Sequence, residues 1–165
     1  MGQCAIQTAT LYNDNTMDSE LLHKAKNLAL KILSRRDHSA REMRLKLKKK
    51  GISEDAIADT IDWLYKKKLV DDKIFAMKKA ESIYRTKLVG PLYIKMKLRE
   101  AGIAESTAEA VVDNLASDAN WNGRAKKALV QWKKAHVKHA EDRVRHMRFL
   151  ASRGFSDFSP LNKGE

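Results

Sequence analysis

The feature that most restricts what this chain can fold into is a segment it writes more than once. Residues 39–52 read SAREMRLKLKKKGI and residues 90–103 read GPLYIKMKLREAGI. Met43, Leu45, Leu47, Gly51 and Ile52 of the first copy become Ile94, Met96, Leu98, Gly102 and Ile103 of the second. Near the end, RFLASRGF places Leu150, Gly154 and Phe155 in the same order, so the glycines stand 51 and 52 residues apart. Self-similarity at a fixed period marks a tandem-repeat architecture, in which a small unit buries its apolar face poorly alone and needs neighbours.

Within the unit, Met43-Leu45-Leu47 and Ile94-Met96-Leu98 alternate with period two, a strand pattern. Three features choose helix instead. Ser39-x-x-Glu42 is a capping box, in which each side chain satisfies a free N–H of the other residue. Gly90-Pro91 puts proline at a first helical position, where its missing N–H is harmless. Most other residues are Arg, Lys, Leu, Met and Glu, which are good helix formers. On that helix Ala40, Met43 and Leu47 share one face, and Leu45 is expected to touch a neighbouring element. Gly51 and Gly102 fall where a helix ends in a left-handed turn. A third helix follows each glycine, with Ile57, Ile61 and Leu64 in one unit and Ala108, Val112 and Leu115 in the next. Trp63, beside the first stripe, reads as packing rather than a base-stacking residue. The fold class is therefore all-α, built from three-helix, helix-turn-helix-like units.

In chain order, residues 1–17 read as a flexible tail, and the first helix is expected to begin after Asp18 or Ser19. Leu21, Leu22, Ala25, Leu28, Ala29, Ile32 and Leu33 give it a helical stripe, and it closes in the basic run Ser34-Arg35-Arg36. Three repeats are expected, over 18–70, 71–117 and, incompletely, 118–158, with a second tail over 159–165. Asp71 and Asp72 precede Phe75, Ala76 and Ala80 on a new helix. N-capping and the helix dipole explain them without general acid–base or metal chemistry. The third unit opens with Trp121, Ala125, Ala128, Leu129 and Trp132. A charged segment, 133–142, leads to a helix carrying Val144, Met147 and Leu150.

The formal net charge of +12, from 33 Lys and Arg against 21 Asp and Glu, points to an anionic partner: nucleic acid or an acidic protein groove. A plain solvated basic surface is the alternative. The single cysteine, Cys4, makes no internal disulfide and fits a reducing cytoplasm. No apolar run approaches the roughly 20 residues of a membrane span, and the N-terminus does not read as a secretory signal. Catalytic motifs are missing: there is no Gly-rich phosphate loop, no Gly-x-Ser-x-Gly elbow and no Cys/His metal spacing. His136 and His139 are i, i+3 neighbours, but two ligands among lysines make a poor metal site. No enzyme, cofactor or metal is expected. Binding is the better reading. Arg41, Arg44, Lys46, Lys48, Lys49 and Lys50 crowd one repeat helix behind Arg35 and Arg36; Lys66, Lys67, Lys68, Lys95, Lys97 and Arg99 extend the positive surface.

Three pieces of sequence carry a family resemblance. They are Arg35, Arg36, Asp37, His38 and Ser39; Leu69-Val70-Asp71-Asp72 followed by Phe75-Ala76; and Gly90-Pro91 leading to Leu98-x-x-x-Gly102-Ile103. Trp121, Ala125 and Leu129, and Arg148-Phe149-Leu150-x-x-Arg153-Gly154-Phe155, join them. Together they resemble RecX, the regulatory protein of the bacterial recombinase RecA, over roughly 19–158. The resemblance implies three tandem three-helix units in an elongated, curved solenoid. It also implies a monomer that lies in the groove of the RecA–single-stranded-DNA filament. There it would restrain ATP hydrolysis, strand exchange and coprotease activity, in control of recombination, DNA repair and the SOS response. One departure stands out. After Phe155 the family supplies another amphipathic helix, whereas SDFSPLNKGE, with Pro160 and Gly164, does not read as one, so the third unit is expected to be truncated. The rival from another class is a direct DNA-binding protein whose helix pairs act independently of RecA.

Overall fold

The computed structural model describes residues 4–118 and 120–156. These form α1 (Cys4–Leu33), α2 (Ala40–Lys48), α3 (Glu54–Lys66), α4 (Asp72–Thr86), α5 (Pro91–Glu100), α6 (Glu105–Asp118), α7 (Trp121–Ala135), a short 3₁₀ turn (Val137–His139) and α8 (Arg143–Ser152). Among the described residues there is no strand. The chain divides into two compact units, Met1–Phe75 and Ala76–Glu165, with the boundary inside α4.

The first unit is the three-helix repeat in full. Helix α1 lies against α2 and α3, and α2 against α3. Met43, Leu47, Ile57, Ile61 and Leu64 lose all contact with water, each burial contributing roughly 1.5–3 kcal/mol of transfer free energy. Ala29 and Val70 complete that core; Leu28, Ile32, Leu33, Ile52 and Trp63 pack against its edge. Ala40, Met43 and Leu47 form the buried face of α2 as expected. Leu45 lies off that buried face, with 51% of its surface exposed. Two residues along a helix turn a side chain far from the buried stripe, so the period-two spelling has no strand consequence. The first helix also differs from its expected start, beginning at Cys4 rather than beyond Asp18. No glycine or proline lies between Gly2 and Gly51 to stop it, and the reading of 1–17 as a tail missed this helical backbone.

In the second unit α5 packs on α6, and α7 on α8. Ala76, Ala80, Val89, Ile94, Leu98, Ile103, Ala108, Val111 and Val112 are buried. A further cluster joins Ala125 and Ala128 to Leu150 and Phe155, with Leu88, Trp121 and Phe149 at its edge. Arg124 fastens α7 to the end of α4: its guanidinium lies 3.9 Å from the centre of the Tyr84 ring and donates to the carbonyls of Tyr84 and Lys87. On α8 the expected stripe is only partly right. Leu150 is buried, but Val144 and Met147 are exposed and His146 is 2% exposed. His146 stands as far before Gly154 as Met43 before Gly51 and Ile94 before Gly102, so the repeat register places it inward. The expected truncation and tail after Phe155 fall mostly on 157–165, outside the described residues.

The three repeated glycines end their helices alike, at φ 76°, 83° and 77° for Gly51, Gly102 and Gly154. In each, the glycine N–H and the next N–H reach back to close the last turn, as in Ile52 to Leu47, Ile103 to Leu98 and Phe155 to Leu150. A fourth turn of this kind ends α3, where Lys68 takes φ 55° and the Leu69 N–H donates to the Leu64 carbonyl. Only there does a residue with a Cβ occupy the left-handed position among these turns.

Candidate partner-binding surface

The candidate surface begins at the entry to α2. The Ser39 hydroxyl accepts from the Glu42 N–H at 3.1 Å, the half of the expected capping box that satisfies the helix end. The Glu42 carboxylate is held by Arg36 and by His38 Nδ1–H, both at 2.9 Å. His38 is buried, and this desolvation holds its imidazole below the ordinary value of 6.5; the bond to Glu42 opposes the shift, while the charges of Arg36 and Lys46 add to it.

Asp71 and Asp72 divide the work expected of them jointly. Asp71 caps α4, accepting from the N–H groups of Lys73 and Ile74. Asp72 instead accepts from the Ala40 N–H at 2.9 Å, meeting one of the donors that every helix start leaves without an intrahelical partner. It also accepts from the Tyr65 hydroxyl at 3.0 Å. Burial, then this bond, pushes the Tyr65 hydroxyl up to about 12. The sequence could not show this role because its partner is 32 residues away.

Between the end of α1 and the side of α2 lies a groove of about 250 Å³. Leu28 and Ile32 form its floor, the rim of the first-unit core. Lys31 and Arg35 stand on one bank, Lys46 and Lys50 on the other, with His38 at the side. Among the described residues none of these four cations has a carboxylate at ion-pair distance. Arg44 on α2 and Lys49 just past its end, both exposed, also have none among the described residues. Arg41 is exposed, and Lys48 is tied to Glu54 at 2.5 Å, which raises its affinity for its proton.

Other expected cations fall elsewhere. Lys66, Lys67 and Lys68 end α3, exposed at its carbonyl end, where positive charge suits the helix dipole. On α5, Lys95 is paired with both Glu109 at 2.6 Å and Glu105 at 2.9 Å. Lys97 pairs with Glu100 and Arg99 with Glu105. Hydrogen bonds to these carboxylates raise the pKa of Lys95 and Lys97, and the bond from Lys95 lowers that of Glu105. These three cations of α5 are thus compensated from within the protein.

Gly90 and Pro91 do more than start α5. The Gly90 N–H donates to the Arg153 carbonyl at 2.8 Å and the Leu92 N–H to the Gly154 carbonyl at 3.1 Å. A Cβ on Gly90 would overlap the Gly154 carbonyl, and one on Gly154 would overlap the Tyr93 backbone. The N-terminus of one repeat helix therefore sits directly on the closing turn of another.

Among the described residues no group of three or more His, Cys, Asp or Glu is placed to hold a metal. His136 stacks on Trp132 with ring centres 4.5 Å apart and shares a hydrogen bond with its carbonyl. No helix among the described residues is long and apolar enough to cross a membrane. Sequence reading missed Lys31 as part of the groove, and Glu100, Glu105 and Glu109 as neutralising partners. Setting the repeats in register offers the signal, because Lys49 stands where the second repeat has Glu100 and Ala58 where it has Glu109.

The family model described as "RecX, first three-helix domain" matches residues 25–64. The regulatory protein RecX of Pelodictyon phaeoclathratiforme is 35% identical over 132 residues, covering 79% of this chain and 81% of its own length. That of Chlorobium phaeobacteroides is 32% identical over 139 residues, covering 82% and 88%. The crystal structure of RecX from Lactobacillus salivarius superposes with a TM-score of 0.74 at 24% identity, covering 87% of this chain and 94% of that one. A second crystal structure, of a regulatory protein RecX, gives 0.76 at 22% identity, covering 87% and 72%. The structures support the fold and the sequence relatives the family. This chain belongs to the family of the regulatory protein RecX.

Proposed function

We propose that this chain is a non-catalytic regulator that binds the RecA–single-stranded-DNA filament in its groove and restrains ATP hydrolysis, strand exchange and coprotease activity. It would act as a monomer in the cytoplasm. The observation that carries this reading is the group of cations around the α1–α2 groove, Lys31, Arg35, Lys46 and Lys50, with no carboxylate partner among the described residues. Like charges gathered on one face raise the local potential, and an anionic partner relieves them while gaining speed and specificity of encounter. Family membership supports a regulatory role over a catalytic one. Restraint follows if the regulator binds the inactive filament more tightly than the active one, since a ligand shifts an equilibrium only by its differential affinity.

The test is RecA's single-stranded-DNA-dependent ATP hydrolysis while this protein is titrated well below one copy per RecA. A fall in this range supports the filament reading, because simple competition for DNA needs far more protein. No fall, together with tight and steeply salt-dependent binding to naked DNA, removes it in favour of a DNA-binding protein acting alone.

A further inference from the structure

The groove between α1 and α2 has a shape and chemistry narrower than a general preference for anions. Its floor is aliphatic, from Leu28 and Ile32, and its rim is cationic on both banks. An apolar cavity of about 150 Å³ accommodates benzene, whereas pockets for drug-sized ligands begin at roughly 300 Å³. At about 250 Å³ the groove is the size for one large apolar side chain.

A strand of nucleic acid would find the cations but not the floor it needs. Single-stranded binding surfaces stack bases on aromatic faces, and the residues lining this groove include no Phe, Tyr or Trp. Trp63 packs against the core of the first unit beneath Lys26, whose ammonium lies 5.5 Å from its ring centre, and is not among the groove residues. An apolar anchor in a groove, flanked by charges that meet the rim, is a recurring form of peptide recognition.

We infer that the α1–α2 groove is a docking site for an acidic peptide segment of a partner protein. One leucine- or phenylalanine-like side chain enters against Leu28 and Ile32, and flanking carboxylates meet Lys31, Arg35, Lys46 and Lys50. The inference rests on the first repeat supplying the binding face, as proposed above. It goes further in assigning this groove to protein rather than to DNA phosphate.

The probe is a fluorescently labelled synthetic peptide with a single leucine between runs of glutamate, followed by anisotropy against the full chain. Two comparisons accompany it: the same peptide with serine for leucine, and labelled oligo(dT). Lys46 and Lys50 are exposed, so Lys46→Gln with Lys50→Gln removes charge without opening the core, and unchanged helical circular dichroism checks this. The leucine peptide is expected to bind, and to lose about tenfold in affinity both in the double variant and on exchange of its leucine for serine. Three results overturn the inference. These are equal binding of the leucine and serine peptides, peptide binding unchanged by the double variant, and binding by oligo(dT) alone that the variant weakens. Peptide binding of the expected kind without any effect on RecA's ATP hydrolysis keeps the groove and removes the filament reading. Inhibition of RecA with no peptide binding does the reverse.

Discussion

Helices α2 and α5 are the same element inside and different elements outside. Met43 and Leu47 bury the face that Ile94 and Leu98 bury, and Gly51 and Gly102 close them with matching left-handed turns. On the surface the correspondence holds only in part: Lys48 pairs with Glu54 as Arg99 pairs with Glu105, but other positions differ. Lys50, on the groove bank, stands where the buried Ala101 follows the end of α5. Lys49 and Ala58 stand where Glu100 and Glu109 neutralise Lys97 and Lys95. The repeat therefore constrains the interior, the turn and part of the surface, since Arg44, Lys46, Lys48 and Glu54 stand where Lys95, Lys97, Arg99 and Glu105 do, while Lys49, Lys50 and Ala58 depart from Glu100, Ala101 and Glu109. Runs of lysine in the two copies look equivalent in sequence, but among the described residues the cations of α5 are paired with carboxylates, whereas those around the α1–α2 groove are not.

The comparison predicts, first and largest, that equivalent core positions fail alike. Leu47→Ala and Leu98→Ala should each cost about 2–5 kcal/mol in urea denaturation, the range for emptying a buried leucine. A near-neutral result at either position would show that the two helices do not share a core role. The turns should then separate. At Gly51 an added Cβ meets nothing within 4 Å, so Gly51→Ala carries only the left-handed strain, about 1–2 kcal/mol. Gly154→Ala adds overlap with the Tyr93 backbone and should lose a further ~1–3 kcal/mol. Equal losses at the two glycines would contradict the packing of α5 on the last turn of α8. In the opposite direction, Lys68→Gly should gain about 1 kcal/mol by relieving the single non-glycine φ above zero among the described residues, read as a higher urea midpoint.

The smallest effect is read from pH. His38 has a folded pKa below its ordinary 6.5, so between those values the unfolded chain binds more protons than the folded one. Its contribution to stability is full above pH 6.5 and is lost as pH falls towards the folded value. His38→Gln should flatten that slope. A wild-type slope of opposite sign in this window, abolished by the same substitution, would contradict burial as the main cause of the shift.

What the sequence made legible was whatever repeats or caps locally. The helix choice over strand, the glycine turns, Ser39 as an N-cap and the core stripe of α3 all follow from spacing of a few residues. What it hid depends on partners far along the chain. Asp72 closes the start of α2, Gly90 needs the carbonyl of Arg153, and Arg124 seals the end of α4. His146 was hidden for another reason: a polar residue in a core position defeats an apolar count, and only the register against Met43 and Ile94 reveals it. The basic residues were visible as candidates, but pairing decides their role. Lys95, Lys97 and Arg99 belong to an internal network with Glu100, Glu105 and Glu109.

The most direct test of this division of labour is RecA's single-stranded-DNA-dependent ATP hydrolysis in the presence of two variants carrying the same loss of charge. One is Arg35→Gln, Lys46→Gln and Lys50→Gln, around the groove; the other is Lys95→Gln, Lys97→Gln and Arg99→Gln, on α5. The groove variant should lose inhibition by about tenfold or more in the concentration required, while the α5 variant keeps it. Inhibition lost equally in both would show that total charge, and not the first-repeat groove, does the binding; loss in the α5 variant alone would place the site on the wrong repeat.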